Sequence, residues 1–149
     1  MKLIVIKTMK VKLHPNNKQL TKMFLFANTS RYAYNWALSE EIENLKKGRK
    51  FIYDGDLRKI FTQLKKEKEF QWLNTISNNV TKQAIKDCCL AYKRFFSKQK
   101  ENGYVKYTKK KIQKANRLNK PLTVYDMQHH PKFKRKNVGY NVKYQENII

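Results

Sequence analysis

Eleven carboxylates are spread along 149 residues, and few are spaced for chemistry. Glu40 and Glu43 stand three apart and could share a Mg²⁺ from one helix face. That spacing, opposite Leu38 and Ile42, equally describes an ordinary solvated face, which is the commoner arrangement. Asp54 and Asp56 fit a loop and a helix cap. His129-His130, beside Pro131, could ligate a metal or accept a proton, but the surrounding basic loop gives such a role little support. Cys88 and Cys89 are adjacent, which suits neither a disulfide framework nor zinc; they read as small core residues, one of them facing inward. There is no glycine-rich phosphate loop, and no Ser-His-Asp set can be assembled. No catalytic constellation emerges, so a non-enzymatic chain without cofactor or metal is expected.

The chemistry that remains is recognition of anions. Thirty-four Lys and Arg give a formal net charge of +23, a severe self-repulsion unless something anionic cancels it. Nucleic acid is the natural counterpart, because each neutralised phosphate releases condensed counterions. Residues 1–98 carry +13 and residues 99–149 carry +10, so the last third is denser in charge. It also interleaves Tyr104, Tyr107, Tyr125, Phe133, Tyr140 and Tyr144 with lysines, a mixture suited to unpaired bases on a sugar-phosphate backbone. A membrane partner is not expected. No apolar run approaches the ~18 to 20 residues of a bilayer span. The N-terminus also lacks a signal-peptide pattern, which makes a cytoplasmic location the expectation.

Hydrophobic residues make up 40%, enough for a modest core, and sparse Gly and Pro favour helices over a loop-rich all-β fold. Residues 2–13 alternate, with Leu3, Val5, Met9, Val11 and Leu13 opposite Lys2, Lys10 and Lys12, which predicts a half-buried strand. Asn16 or Asn17 can cap a short helix bearing Leu20, Met23, Phe24 and Ala27. Thr29 or Ser30 then caps a second, with Tyr34, Ala37, Leu38, Ile42 and Leu45 as its stripe and Gly48 at its C′ position. A third helix turns Leu57, Ile60, Phe61 and Leu64 inward, and Trp72-Leu73 lies in a connecting turn. The fourth is the clearest: Ser77 or Asn78 caps a stripe of Ala84, Ile85, Cys88, Tyr92, Phe95 and Phe96. Residues 108–120 read as a basic helix stopped by Pro121, and 122–125 and 139–144 as strands.

One ordered set of short stretches goes further. It begins with Met9-Lys10-Val11-Lys12-Leu13-His14-Pro15-Asn16-Asn17-Lys18-Gln19 and Arg31-Tyr32-Ala33-Tyr34-Asn35-Trp36-Ala37-Leu38. It continues with Trp72-Leu73, Gln83-Ala84 with Asp87, Ala91-Tyr92-Lys93-Arg94-Phe95-Phe96, and Pro131-Lys132-Phe133-Lys134. Together these resemble the N-terminal part of the OrfB/TnpB-type proteins of insertion sequences, RNA-guided DNA nucleases related to the type V CRISPR effectors. The resemblance covers residues 9–98 well and 131–144 loosely, with a longer connection between 96 and 131 than the family shows.

The resemblance implies a mainly α fold. A wedge-type strand would occupy residues 1–15, a four-helix recognition-lobe-like domain 16–100, and a basic, partly β segment with strands of an incomplete barrel 101–149. The helices should fold, while the last third stays mobile for want of barrel strands to pair with. By position, target-adjacent DNA falls to Tyr53, Asn78, Asn79 and Lys82. Asn can bond an adenine edge bidentately, and Lys reaches a guanine or a phosphate. RNA contacts are expected from Lys10 and Lys12 and from the basic run Lys132, Phe133, Lys134, Arg135 and Lys136. The family's scattered nuclease acids and four-cysteine zinc ribbon have no counterpart in this sequence, so the chain is expected to bind without cutting. Its partners would be a guide-type structured RNA, DNA, and a nuclease half encoded separately. The alternatives are a free-standing helix-turn-helix DNA-binding regulator or an inactive truncated transposase remnant.

Overall fold

Asn16 opens the longest helix through a reciprocal capping box. Its side-chain oxygen accepts from the Gln19 backbone N–H at 2.9 Å, and the Gln19 side-chain oxygen accepts from the Asn16 backbone N–H at 3.0 Å. The computed structural model, which describes residues 7–101 and 107–136, carries this helix, α1, unbroken over Asn17–Lys46. The expected division into two helices at Thr29 does not occur. No Gly or Pro interrupts residues 17–46, and the Thr29 hydroxyl donates to the Leu25 carbonyl at 2.8 Å, one turn back, instead of capping a new helix. α1 ends as expected at Gly48, whose φ of +69° is the left-handed conformation that glycine adopts without steric cost. The Arg49 N–H reaches back to the Asn44 carbonyl at 3.1 Å and the Gly48 N–H to Leu45 at 3.0 Å, which satisfies two end carbonyls.

α2 spans Asp54–Leu64, with Asp54 and Asp56 in its first turn where the helix dipole favours them. A 3-10 helix over Lys68–Thr75 buries Leu73 and leads into α3, Asn78–Glu101. α4, Lys109–Arg117, is capped by the Thr108 hydroxyl and ends at Asn119, which takes a φ of 47° before Pro121. A last 3-10 turn covers Val124–Asp126.

The core lies where α1 crosses α3, with α2 laid against α3. Ala33, Ala37 and Ala84 are small enough for close approach, and Tyr34, Leu38, Leu57, Phe61, Ile85, Cys88 and Tyr92 fill the space around them. Both cysteines are buried, not one. Phe96 is 41% exposed and rests edge-on against Phe51, so the stripe of α3 turns outward there.

The described residues contain no strand, which corrects the expected fold class. Met9, Val11 and Leu13 alternate as anticipated but are 85%, 68% and 63% exposed, because no neighbouring backbone supplies a ladder. Residues 122–125 do not form a strand either. Asp126 pulls the chain into a turn by accepting from the Thr123 N–H at 3.1 Å and its hydroxyl at 2.7 Å. The strand expected at 139–144 lies outside the described residues, as do residues 2–6 of the first.

Around residues 128–134 the C-terminal segment packs against α1 and α3. His130 is buried, and the Gln99 side chain donates to the Gln128 carbonyl at 2.9 Å. No helix among the described residues is long and apolar enough to cross a membrane.

Candidate nucleic-acid interface

The end of α2 and the start of α3 enclose a cleft of about 100 Å³ whose polar lining includes Arg58, Lys65, Asn78 and Lys82 and no carboxylate. Lys65 follows the last residue of α2, four residues on from Phe61 and eight from Leu57, so it falls on the buried face of the helix and is only 8% exposed. Its ammonium donates to the Asn78 side-chain oxygen, and its carbonyl accepts from Asn74 at 3.2 Å. Burial, followed by the nearby charge of Lys82, lowers the Lys65 pKa. Beyond the cleft an open groove continues past Lys66, Gln71 and Asn74.

Of the four residues expected to face DNA, Asn78 and Lys82 thus line one cleft. Asn79 is half-buried beside them, its N–H on the Ser77 hydroxyl at 3.4 Å. Tyr53 is not brought to this place. It caps the far end of α2, 63% exposed, with its ring edge-on to Phe51 at 5.6 Å. Lys65 and Arg58 were not anticipated. The signal for Lys65 was a lysine standing in the stripe Leu57, Phe61, where an apolar residue would ordinarily fall.

The C-terminal basic run forms a second positive surface, anchored through its aromatic neighbours. Phe133 stacks on Tyr125 at 5.7 Å, and the Lys132 ammonium lies 3.9 Å from the centre of the same ring. The Lys134 backbone is held by Asn35, and its ammonium sits 4.2 Å above the Tyr34 ring. Arg135 and Lys136 are exposed, as are Lys10 and Lys12 in the irregular lead-in. α4 buries none of its residues and turns Lys110, Lys114 and Arg117 to one side.

His130 underpins this surface. Its Nδ1 is 2.7 Å from the Pro131 carbonyl, which can only accept, so Nδ1 carries the proton and Nε2 accepts from the Tyr92 hydroxyl at 3.1 Å. Burial lowers its pKa, so the ring is held neutral as a structural anchor. Among the described residues no three His, Cys, Asp or Glu side chains are grouped to hold a metal ion. Glu43 pairs with Lys47 at 3.3 Å, in keeping with a solvated face. Glu41, between the two acids first considered, is fully buried. One of its oxygens accepts from the Ile52 N–H at 3.1 Å, and burial pushes its pKa up to about 7.

The described surface thus carries a lysine-lined cleft without a lining carboxylate and, separately, a basic aromatic segment. Residues 1–50 match the helix-turn-helix domain family of the OrfB proteins of IS605 type. The N-terminal part of the chain is OrfB-like. Over 94 residues it is 33% identical to the Escherichia coli (strain K12) protein named "Putative RNA-guided DNA endonuclease InsQ". That alignment takes in 63% of this chain and 23% of InsQ, so the match spans less than a quarter of the relative's length. No solved structure matches the chain. Where it is described, the OrfB-like stretch 1–50 holds an irregular lead-in and the single helix α1, without a second helix packed across a turn.

Proposed function

We propose that this chain is a non-catalytic nucleic-acid-binding module of the OrfB/TnpB kind, holding a guide-type structured RNA and contacting DNA next to its target. The cleft between α2 and α3 carries the reading: three cations and an asparagine converge with no carboxylate lining the space between them. DNA contact falls to Asn78, Asn79 and Lys82, and RNA contact to the surface of Lys132, Phe133, Lys134, Arg135 and Lys136 and to Lys10 and Lys12. Folded RNA offers closely spaced phosphates together with unstacked bases, whereas B-form duplex offers only the phosphates. RNA is therefore the tighter partner.

Direct competition tests this. A structured RNA should displace labelled duplex DNA from the chain at lower concentration than unlabelled duplex does. Alanine at Lys132, Lys134, Arg135 and Lys136 should weaken RNA binding, and alanine at Asn78 and Asn79 should leave it nearly unchanged. Nanomolar, sequence-selective duplex binding at physiological salt without RNA would instead support a helix-turn-helix regulator.

A further inference from the structure

Lys65 is a buried cation whose needs the protein meets only in part. An ammonium has three donors, and the Asn78 side-chain oxygen takes one of them. No carboxylate pairs with it among the described residues, and the other charges lining the cleft, Lys82 and Arg58, are of the same sign. Burying an ammonium beside another cation is costly unless an anion joins them. Arg58 stands on the same wall, held by Asp54 at 3.1 Å, which fixes the guanidinium while leaving it unspent donors. Because the Asn78 oxygen is turned to Lys65, the amide nitrogen of Asn78 remains as a further donor.

We propose that this cleft seats one phosphodiester group of a bound nucleic-acid strand, with Lys65 as its buried anchor and Arg58, Lys82 and the Asn78 amide as the remaining donors. Size supports a single group. At about 100 Å³ the cleft lies well under the ~300 Å³ at which pockets begin to enclose small molecules. Shape supports a polymer. The groove past Lys66 and Asn74 leaves an open path for the strand on one side of the phosphate. The site rests on the nucleic-acid-binding reading and narrows it, moving the role of Asn78 from reading a base toward holding the backbone.

The test uses the full chain and two variants. Lys65→Met keeps the apolar stem and removes the charge, and Asn78→Asp supplies an internal carboxylate that occupies Lys65. Affinity for a structured RNA and for a duplex DNA is measured across a salt series, together with the thermal midpoint. The cleft predicts that each variant lowers the salt slope by about one and the affinity by about tenfold at low salt, on whichever polymer fills it. Neither variant should lower the thermal midpoint. Loss on DNA alone supports the site and the assignment of Asn78 to DNA, whereas loss on RNA alone supports the site and overturns that assignment. Wild-type slopes in both variants, with binding intact, overturn the site and leave the broader reading standing. No binding of either polymer by the wild-type chain overturns the broader reading.

Discussion

Asn35 and Lys134, 99 residues apart, are joined by two hydrogen bonds. The Asn35 amide donates to the Lys134 carbonyl at 3.0 Å and accepts from the Lys134 N–H at 2.8 Å. A side-chain amide thereby completes a backbone pair, as a neighbouring strand would, and fixes the basic segment to α1. Asn35→Ala removes both bonds at a cost of about 1–2 kcal/mol. Amide hydrogen exchange should show Lys134 losing protection while the middle of α3 is unchanged. Unaltered exchange at Lys134 would mean that Asn35 does not hold the segment.

His130 makes the same docking sensitive to acid. Its folded pKa lies below the ordinary value of 6.5, so the fold favours the neutral ring. The stabilisation is complete above 6.5 and is lost as the pH falls towards the folded value. As the pH falls below 6.5 the segment around residues 125–134 should loosen, read as a falling protection factor at Lys134 once the intrinsic slowing of exchange with acid is divided out. His130→Gln should flatten that response, and a wild-type pH dependence in this variant would contradict it.

Glu41 has the opposite sign. Its carboxyl is raised from 4.5 to about 7 on folding, so its stabilisation is full below 4.5 and is lost as the pH rises through about 7. Glu41→Gln keeps an acceptor for the Ile52 N–H and removes the buried charge. Urea unfolding at pH 8 should find the variant more stable than wild type by up to about 3 kcal/mol, shrinking towards zero at pH 5. Equal stability at pH 8 would show that Glu41 ionises without penalty.

What could be read from the sequence was local. Asn16, Gly48 and the stripe of α3 act within one or two turns, so spacing alone discloses them. Thr29 misled because a hydroxyl that can cap a new helix can also bond backward inside a continuing one. The alternation of residues 2–13 was real, yet a strand exists only beside a partner, and none is present among the described residues. Lys65 and Glu41 were hidden by their type. A charged residue on an apolar stripe is passed over as solvent-facing, although position places 41 near Leu38 and 65 in line with Phe61. The pairing of Asn35 with Lys134 has no local signature, since the fold alone brings the two together. Among the expected contacts, Asn78 and Lys82 share a cleft, whereas Tyr53 stands at the other end of α2.

The most direct measurement is the salt dependence of structured-RNA affinity for the full chain, beside a variant with Lys132, Lys134, Arg135 and Lys136 replaced by alanine. Wild type should show affinity falling steeply and log-linearly with salt, and the variant a slope lower by a few units with weaker binding at every salt concentration. A wild-type slope near zero, or a variant that binds RNA as tightly and with the same slope as wild type, would contradict a basic module built to hold RNA through this surface.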